Sequence, residues 1–326
     1  YNKSEWGDVV SIKEVKKYLP KELIEILEKI YSTKQLDTIY RSFYRGRWTS
    51  FRVNNLRGNQ SEVMEALMIN KIKAVNHPII KNAFIVKDKK ESALRKLEVY
   101  KSGKIYLQNI SSMLPPLFLD LKEDNVILDM CAAPGGKSLY MADLTNNKAI
   151  ILANDVNEIR RERLNYNIEK QGASSVIAFG SDGCTIGKRL NMYFDRILLD
   201  APCSGEGIIK INSSKYLSSW SKRKVELASR LQKKLVDSAY NALKSGGVMV
   251  YSTCTLNPFE NEEVINYALG KYKDLTLEKI DINLQNVIRG ITRYDGKIYS
   301  EELKKSLRVI PNDYMEGFFI AKLLKA

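Results

Sequence analysis

Apolar positions along this chain follow two regimes. Over residues 10–45 they recur at helical spacing, as at Leu19, Leu23, Ile26, Leu27 and Ile30, which predicts helix. Residues 48–53 then read as a strand and 61–72 as a helix. Short β-prone runs follow at 72–75 and 83–86, with a basic turn at 87–90. These elements predict a small α/β module. From about Ile105 near-continuous apolar runs of strand length appear at 126–130, 149–153, 176–179, 194–199 and 248–251, each followed by a polar turn and a helical stretch. That alternation predicts a parallel sheet with both faces covered by helices. Ligands of such sheets bind beyond the carboxyl ends of the strands, so the residues after each run are where chemistry is expected.

The first run leads into Asp129-Met130-Cys131-Ala132-Ala133-Pro134-Gly135-Gly136-Lys137-Ser138. Glycines here allow close approach of backbone to a ligand just before a helix. A phosphate-cradling P-loop needs a first glycine where Cys131 stands, and Pro134 removes a backbone donor, so a nucleoside cofactor on a Rossmann-like sheet fits better. The second run ends at Asn154-Asp155. An acid there is suited to accept from ribose hydroxyls, or equally to cap the next helix. Asp182, after the third run, is either a further ligand acid or a turn residue. The fourth run ends in Asp200-Ala201-Pro202-Cys203 and the fifth in Ser252-Thr253-Cys254. In a doubly wound sheet these strands are neighbours, which would bring Cys203 and Cys254 together. Nothing in the spacing ranks the two thiols. Cys184 has no strand-end pattern and is expected to be inert packing.

Three residue groups read as structural. Asn257-Pro258 suggests a helix cap and first turn, with Glu260, Glu262 and Glu263 as favourable charges at that helix start. His77, the single histidine, lies before a proline and is expected at the surface or in a turn, which argues against a Ser-His-Asp hydrolase.

Charge sharpens the picture. The chain carries a net +14. Residues 1–100 hold 20 Lys and Arg against 12 Asp and Glu, or +8, and residues 201–250 hold 9 against 3, or +6. The remainder is balanced, so two basic regions point to a polyanion partner. No 18-residue apolar run is present, so no membrane partner is expected. Tyr1 to Trp6 is polar, without the apolar core of a signal peptide. The four cysteines form no CxxC pair, so no metal is expected, and reduced thiols fit a cytoplasmic location.

The turns Cys131-Ala132-Ala133-Pro134-Gly135-Gly136-Lys137, Asp200-Ala201-Pro202-Cys203-Ser204-Gly205 and Ser252-Thr253-Cys254 closely resemble those of the NOL1/NOP2/Sun family of RNA cytosine-5 methyltransferases. The likeness runs from Phe51-Arg52-Val53-Asn54 through Tyr106-Leu107-Gln108-Asn109 to Glu316-Gly317-Phe318-Phe319. It implies a Rossmann-like catalytic domain over residues 105–326 behind a basic, RRM-like RNA-binding module over 1–104, with S-adenosyl-L-methionine as methyl donor. It further implies that Cys131, Ala132, Ala133, Pro134, Gly135, Gly136, Lys137 and Asp155 surround the methionine and ribose parts of the donor, with Asp182 near the adenine. Asp200 would face both cofactor and target base. Cys254 would attack the base and Cys203 would help release the product. The family often has Asp at the positions of Asn109 and Glu316. The segment before the catalytic domain is short for the NusB-like domain of some bacterial rRNA members, and no appended C-terminal module is expected. The DAPCSGEG form and Trp220-Ser221 resemble bacterial rRNA members, whereas the compact length resembles archaeal tRNA members. The expectation is a monomer acting on tRNA or rRNA, against the alternative of a non-catalytic ribosome-assembly factor on the same fold.

Overall fold

The computed structural model describes residues 11–87, 91–211, 217 and 220–326. Tyr1 to Trp6, most of the basic turn at 87–90 and part of the second basic region lie outside the described residues. Three helices open the chain: α1 (Ile12–Lys16), α2 (Lys21–Ile30) and α3 (Thr33–Arg45). Their apolar faces do not close on one another alone. Leu23, Leu27, Ile39 and Phe43 share a core with Ile209, Trp220, Leu256 and Ile310 from much later in the chain. Each such fully buried side chain is worth about 1.5–3 kcal/mol.

A four-stranded antiparallel sheet follows, from β1 (Thr49–Val53), β2 (Val75–Asn76), β3 (Ala83–Val86) and β4 (Ile105–Leu107), in the order β2-β3-β1-β4. Helix α4 (Gln60–Ile69) connects β1 to β2, while α5 (Glu91–Arg95) and α6 (Glu98–Lys101) precede β4. The helix expected to reach 72 stops at Ile69, and of the β-prone run 72–75 only Val75 enters a strand, β2. Lys71 takes φ +53° and the Ile72 amide donates to the Leu67 carbonyl, so these residues close the helix instead. His77 lies in the expected turn but is buried rather than at the surface. Its Nδ1 accepts from the amides of Ile79 and Ile80.

The small sheet is tied to the rest through buried polar contacts. Asn54 donates to the carbonyls of Gly103 and Gln171, and Asn55 to the Asp143 carboxylate. Arg52 is wholly buried between the rings of Tyr106 and Tyr140, 3.6 Å from Asp143.

The second sheet is the larger one. After α7 (Ile110–Leu117) come β5 (Val126–Asp129), α8 (Gly136–Leu144), β6 (Ile150–Asn154), α9 (Glu158–Gln171), β7 (Val176–Phe179), α10 (Gly183–Arg189), β8 (Phe194–Asp200), α11 (Lys222–Ala242) and β9 (Leu243–Thr253). Five parallel strands stand in the order β9-β8-β5-β6-β7, so the order reverses between β5 and β8. A crevice opens at such a reversal, beyond the carboxyl ends of the strands.

Helix α12 (Glu262–Lys271) and strands β10 (Leu275–Glu278), β11 (Val287–Arg289), β12 (Arg293–Tyr294), β13 (Lys297–Ile298), β14 (Leu307–Val309) and β15 (Phe318–Lys325) complete the chain. β15 runs antiparallel to β9, with β10 and β14 paired to it in turn. Helix α12 starts later than expected. Its cap is Asn261, because residues 257–261 form a tight turn in which Asn257 Oδ1 accepts from the Phe259 amide. No helix among the described residues is long and apolar enough to cross a membrane.

Candidate active site

The turn after β5 forms one wall of the crevice. Gly135 caps α8 at φ +109°, where a Cβ would stand 2.8 Å from Leu164 Cδ1. A Cβ on Gly136 would crowd the ring of Tyr106 at 3.1 Å. Backbone contacts hold the turn rigid: the Ala132 amide donates to the Asn154 carbonyl, Arg160 to the Ala133 carbonyl at 2.6 Å, and Asn167 to the Pro134 carbonyl at 2.8 Å. A cavity of about 150 Å³ results, lined by Cys131, Ala132, Ala133, Pro134, Gly136, Lys137 and Asp200 together with Tyr106, Leu107, Gln108, Ser112 and Asp129. Burial pushes the Cys131 thiol far up, with nearby Asp129 and Asp200 adding to the shift, so it is a neutral wall group.

Asp155 is 3% exposed and does not cap α9; Asn157 does. The Asp155 Oδ1 accepts from the Asn157 amide, and its Oδ2 lies 3.2 Å from the Arg160 guanidinium without a hydrogen bond. A buried carboxylate with one oxygen spare at the end of the second strand has the chemistry to accept from a vicinal diol. Asp182 is exposed, caps α10 by accepting from the Cys184 amide, and does not line the cavity. Cys184 packs against the core near α10, away from the other thiols.

At the far wall, Lys137 Nζ bridges Ser112 Oγ at 2.7 Å and Asp200 Oδ2 at 2.6 Å, while Ser252 donates to the Asp200 Oδ1 at 2.7 Å. Strands β8 and β9 are hydrogen-bonded in parallel with Asp200 opposite Ser252. This register delivers both cysteines to one edge, and the sulfurs of Cys203 and Cys254 lie 3.3 Å apart. The hydrogen bond to Cys254 and burial raise the Cys203 thiol well above its usual range, helped by the charges of Glu260 and Asp200. Either sulfur can donate across this contact.

Of the acids read as helix-start charges, Glu262 and Glu263 do stand in the first turn of α12, but Glu260 behaves otherwise. Glu260 is wholly buried. Its Oε2 accepts from the Ser204 amide at 2.8 Å and from Gln232, and its Oε1 accepts from Thr255 Oγ1. It thus grips the Cys203 turn and the Cys254 turn from behind. Glu206, also buried, accepts from Trp220 Nε1 and Asn257 Nδ2. Sequence periodicity could not separate these carboxylates from ordinary solvated ones. The only hint was the density of Ser, Thr and Asn at 252–261. Glu316, where the family often has Asp, stands close to these groups. Burial raises its carboxyl, against the opposing charges of Arg47, Lys210 and Lys137.

Burial, then Glu206, moves the Glu260 carboxyl from 4.5 up to about 7. A carboxyl whose pKa is higher folded than unfolded contributes stability below the unfolded value and loses it as pH rises to the folded one. Stability should therefore fall as pH rises between 4.5 and about 7 and then level off. Urea midpoints measured across that window should fall less steeply for Glu260→Gln than for the parent; equal slopes would show that Glu260 is not the group involved.

Glycine-framed turn, switch-point cavity and strand-end acid together define a Rossmann-like methyltransferase. Comparison with known proteins agrees: the family model for 16S rRNA methyltransferase RsmB/F matches residues 116–324. The chain belongs to this family, in keeping with its resemblance to NOL1/NOP2/Sun enzymes. It is 39% identical over 315 residues to the tRNA (cytosine(49)-C(5))-methyltransferase of Pyrococcus abyssi, covering 96% of this chain and 98% of that one. It is 34% identical to the ribosomal RNA small subunit methyltransferase F of Serratia proteamaculans, over 94% of this chain but 63% of that longer protein. A solved methyltransferase homolog from Pyrococcus horikoshii superposes with a TM-score of 0.79 at 32% identity, over 94% of this chain and 100% of that one.

Proposed function

We propose that the chain methylates carbon 5 of a cytosine in RNA, with S-adenosyl-L-methionine as donor. The observation that carries this reading is the pair of sulfurs 3.3 Å apart beside the Lys137–Asp200 pair at the switch point. Cys131, Ala132, Ala133, Pro134, Gly135, Gly136 and Lys137 fit the methionine part of the donor, and the spare Asp155 oxygen fits its ribose. Asp182 would reach the adenine only from its exposed helix cap. When bound, the donor supplies an electrophilic methyl group on a sulfonium.

Carbon 5 of cytosine is too poor a nucleophile to take that methyl group unaided. Cys254 adds to carbon 6, which breaks the aromatic system and makes carbon 5 enamine-like. The Lys137–Asp200 pair holds a proton suited to meet N3 as negative charge develops there. A solvent water takes the carbon-5 proton, the C5=C6 bond re-forms as the C6–S bond breaks, N3 returns its proton to the Lys137–Asp200 pair, and the departing Cys254 thiolate takes a proton from the Cys203 S–H in contact with it. The target base must leave its stack to reach this edge, so single-stranded or locally opened RNA is the substrate form. Basic residues of α11, including Arg223 and Arg230, and of the N-terminal sheet would hold phosphates. The match over nearly the full length of a tRNA enzyme makes tRNA the first substrate to test.

Bisulfite sequencing of tRNA and rRNA after incubation with the donor should show one newly protected cytosine. No methyl transfer to any RNA would favour the non-catalytic assembly factor. S-adenosylhomocysteine should raise the melting temperature, whereas ATP should not.

A further inference from the structure

Arg47 belongs to the segment between α3 and β1, outside the region matched by the family model. Its side chain nonetheless ends at the catalytic edge. The Nε donates to the Met315 carbonyl at 3.1 Å and Nη2 to the Gly207 carbonyl at 2.8 Å. Both acceptors belong to the site. The Gly207 amide donates at 2.9 Å to the carbonyl of Cys254, and Met315 precedes Glu316. Two of the three nitrogens are thus fixed, and the fork is rigid. The third, Nη1, is buried with no hydrogen-bond partner among the described residues. Among the described residues no carboxylate is hydrogen-bonded to this guanidinium. The charges acting on it are those of Glu316 and Cys254 themselves.

A buried cationic donor left unpaired is costly, and the cost is offset only when an acceptor arrives. The acceptor must come with the substrate, at the edge formed by the Cys254 turn and Glu316. In cytosine, C6 and C2 are both bonded to N1, so when C6 meets Cys254 the carbonyl oxygen O2 is on the same side of the ring. The backbone phosphates stay with the strand from which the base has been turned out. Resting on the covalent reading above, we propose that Arg47 is a catalytic residue that donates through Nη1 to O2 of the target cytosine. The Cys254 sulfur–C6 bond forms as the C5=C6 pair moves into the ring, placing negative charge on N3 and O2. A fixed donor at O2 then binds the adduct more tightly than the free base.

The test uses the full chain with Cys203→Ala, which accumulates the RNA adduct, and follows adduct formation on denaturing gels. One RNA carries cytosine at the methylated position and the other carries 2-thiocytosine, whose sulfur is a poor acceptor. Arg47→Lys keeps the charge and the stem but cannot serve three directions at once. It should slow the adduct on the cytosine RNA by about a hundredfold, as for loss of one oxyanion donor, yet change the 2-thiocytosine rate by less than about threefold. An equal slowing on both RNAs, or none on either, would overturn the assignment and leave Arg47 as packing between two loops. Arg47→Met, which removes every donor, should repeat the pattern with a larger first number. If the parent with Arg47 intact forms no adduct on cytosine RNA, the covalent reading itself fails and takes this inference with it.

Discussion

Cys254→Ala is expected to abolish turnover and adduct formation together, a loss of roughly 10⁴-fold or more, as for removal of a covalent nucleophile. Cys203→Ala should instead leave addition intact and stall release, so that RNA migrates with the protein on denaturing gels. The asymmetry rests on one contact. The sulfurs lie 3.3 Å apart, close enough for a proton to pass between them, and burial with the contact to Cys254 raises the Cys203 thiol. Removing Cys203 deletes the acid for the departing sulfur; removing Cys254 deletes the attacking group. If Cys254→Ala accumulated the adduct and Cys203→Ala did not, the roles would be exchanged.

The second large effect is on stability. Arg308, on β14, is buried with Glu262 at the start of α12: its Nε donates to Glu262 Oε1 at 2.6 Å and its Nη2 to the other carboxylate oxygen. Its Nη1 donates to Tyr31 and to the Leu256 carbonyl. Burial alone would lower this guanidinium's pKa, but Glu262 outweighs it and the net shift is upward. Breaking such a pair from one side strands a charge in a dry interior. Glu262→Gln should therefore cost about 3–5 kcal/mol in urea unfolding. Replacing both partners, as Glu262→Leu with Arg308→Met, should cost much less than the two single changes added together. Additive losses would show that the two charges are solvated independently.

The parallel half of the fold was legible because its strands are buried on both faces and read as continuous apolar runs. The runs at 126–130, 176–179 and 194–199 fall within a residue of β5, β7 and β8. The antiparallel half was not. β10, β11, β14 and β15 derive their pairing from β9 or from one another, and no local signal sets that register. The site divides in the same way. Residues in strand-end turns, from Cys131 to Lys137 and again at Asp200, Cys203 and Cys254, announce themselves by their position after a run. Arg47, Glu260 and Glu316 act through contacts that span up to 268 positions, so their chemistry depends on what the fold sets beside them. Asp155 could be a cap or a ligand until Asn157 took the cap.

The polar seam between the two sheets has an evolutionary consequence. Asn54 is held by the Gln171 carbonyl, Arg52 lies between Tyr106 on β4 of the small sheet and Tyr140 on α8, and Tyr106 also lines the switch-point cavity. A chimera that takes residues before 108 from one relative and the remainder from another would set Arg52 and Tyr106 against a foreign side chain at 140 and move a cavity wall. The small sheet and the large one cannot then be exchanged as separate cassettes; lineages that change either must revise both sides of the seam in concert.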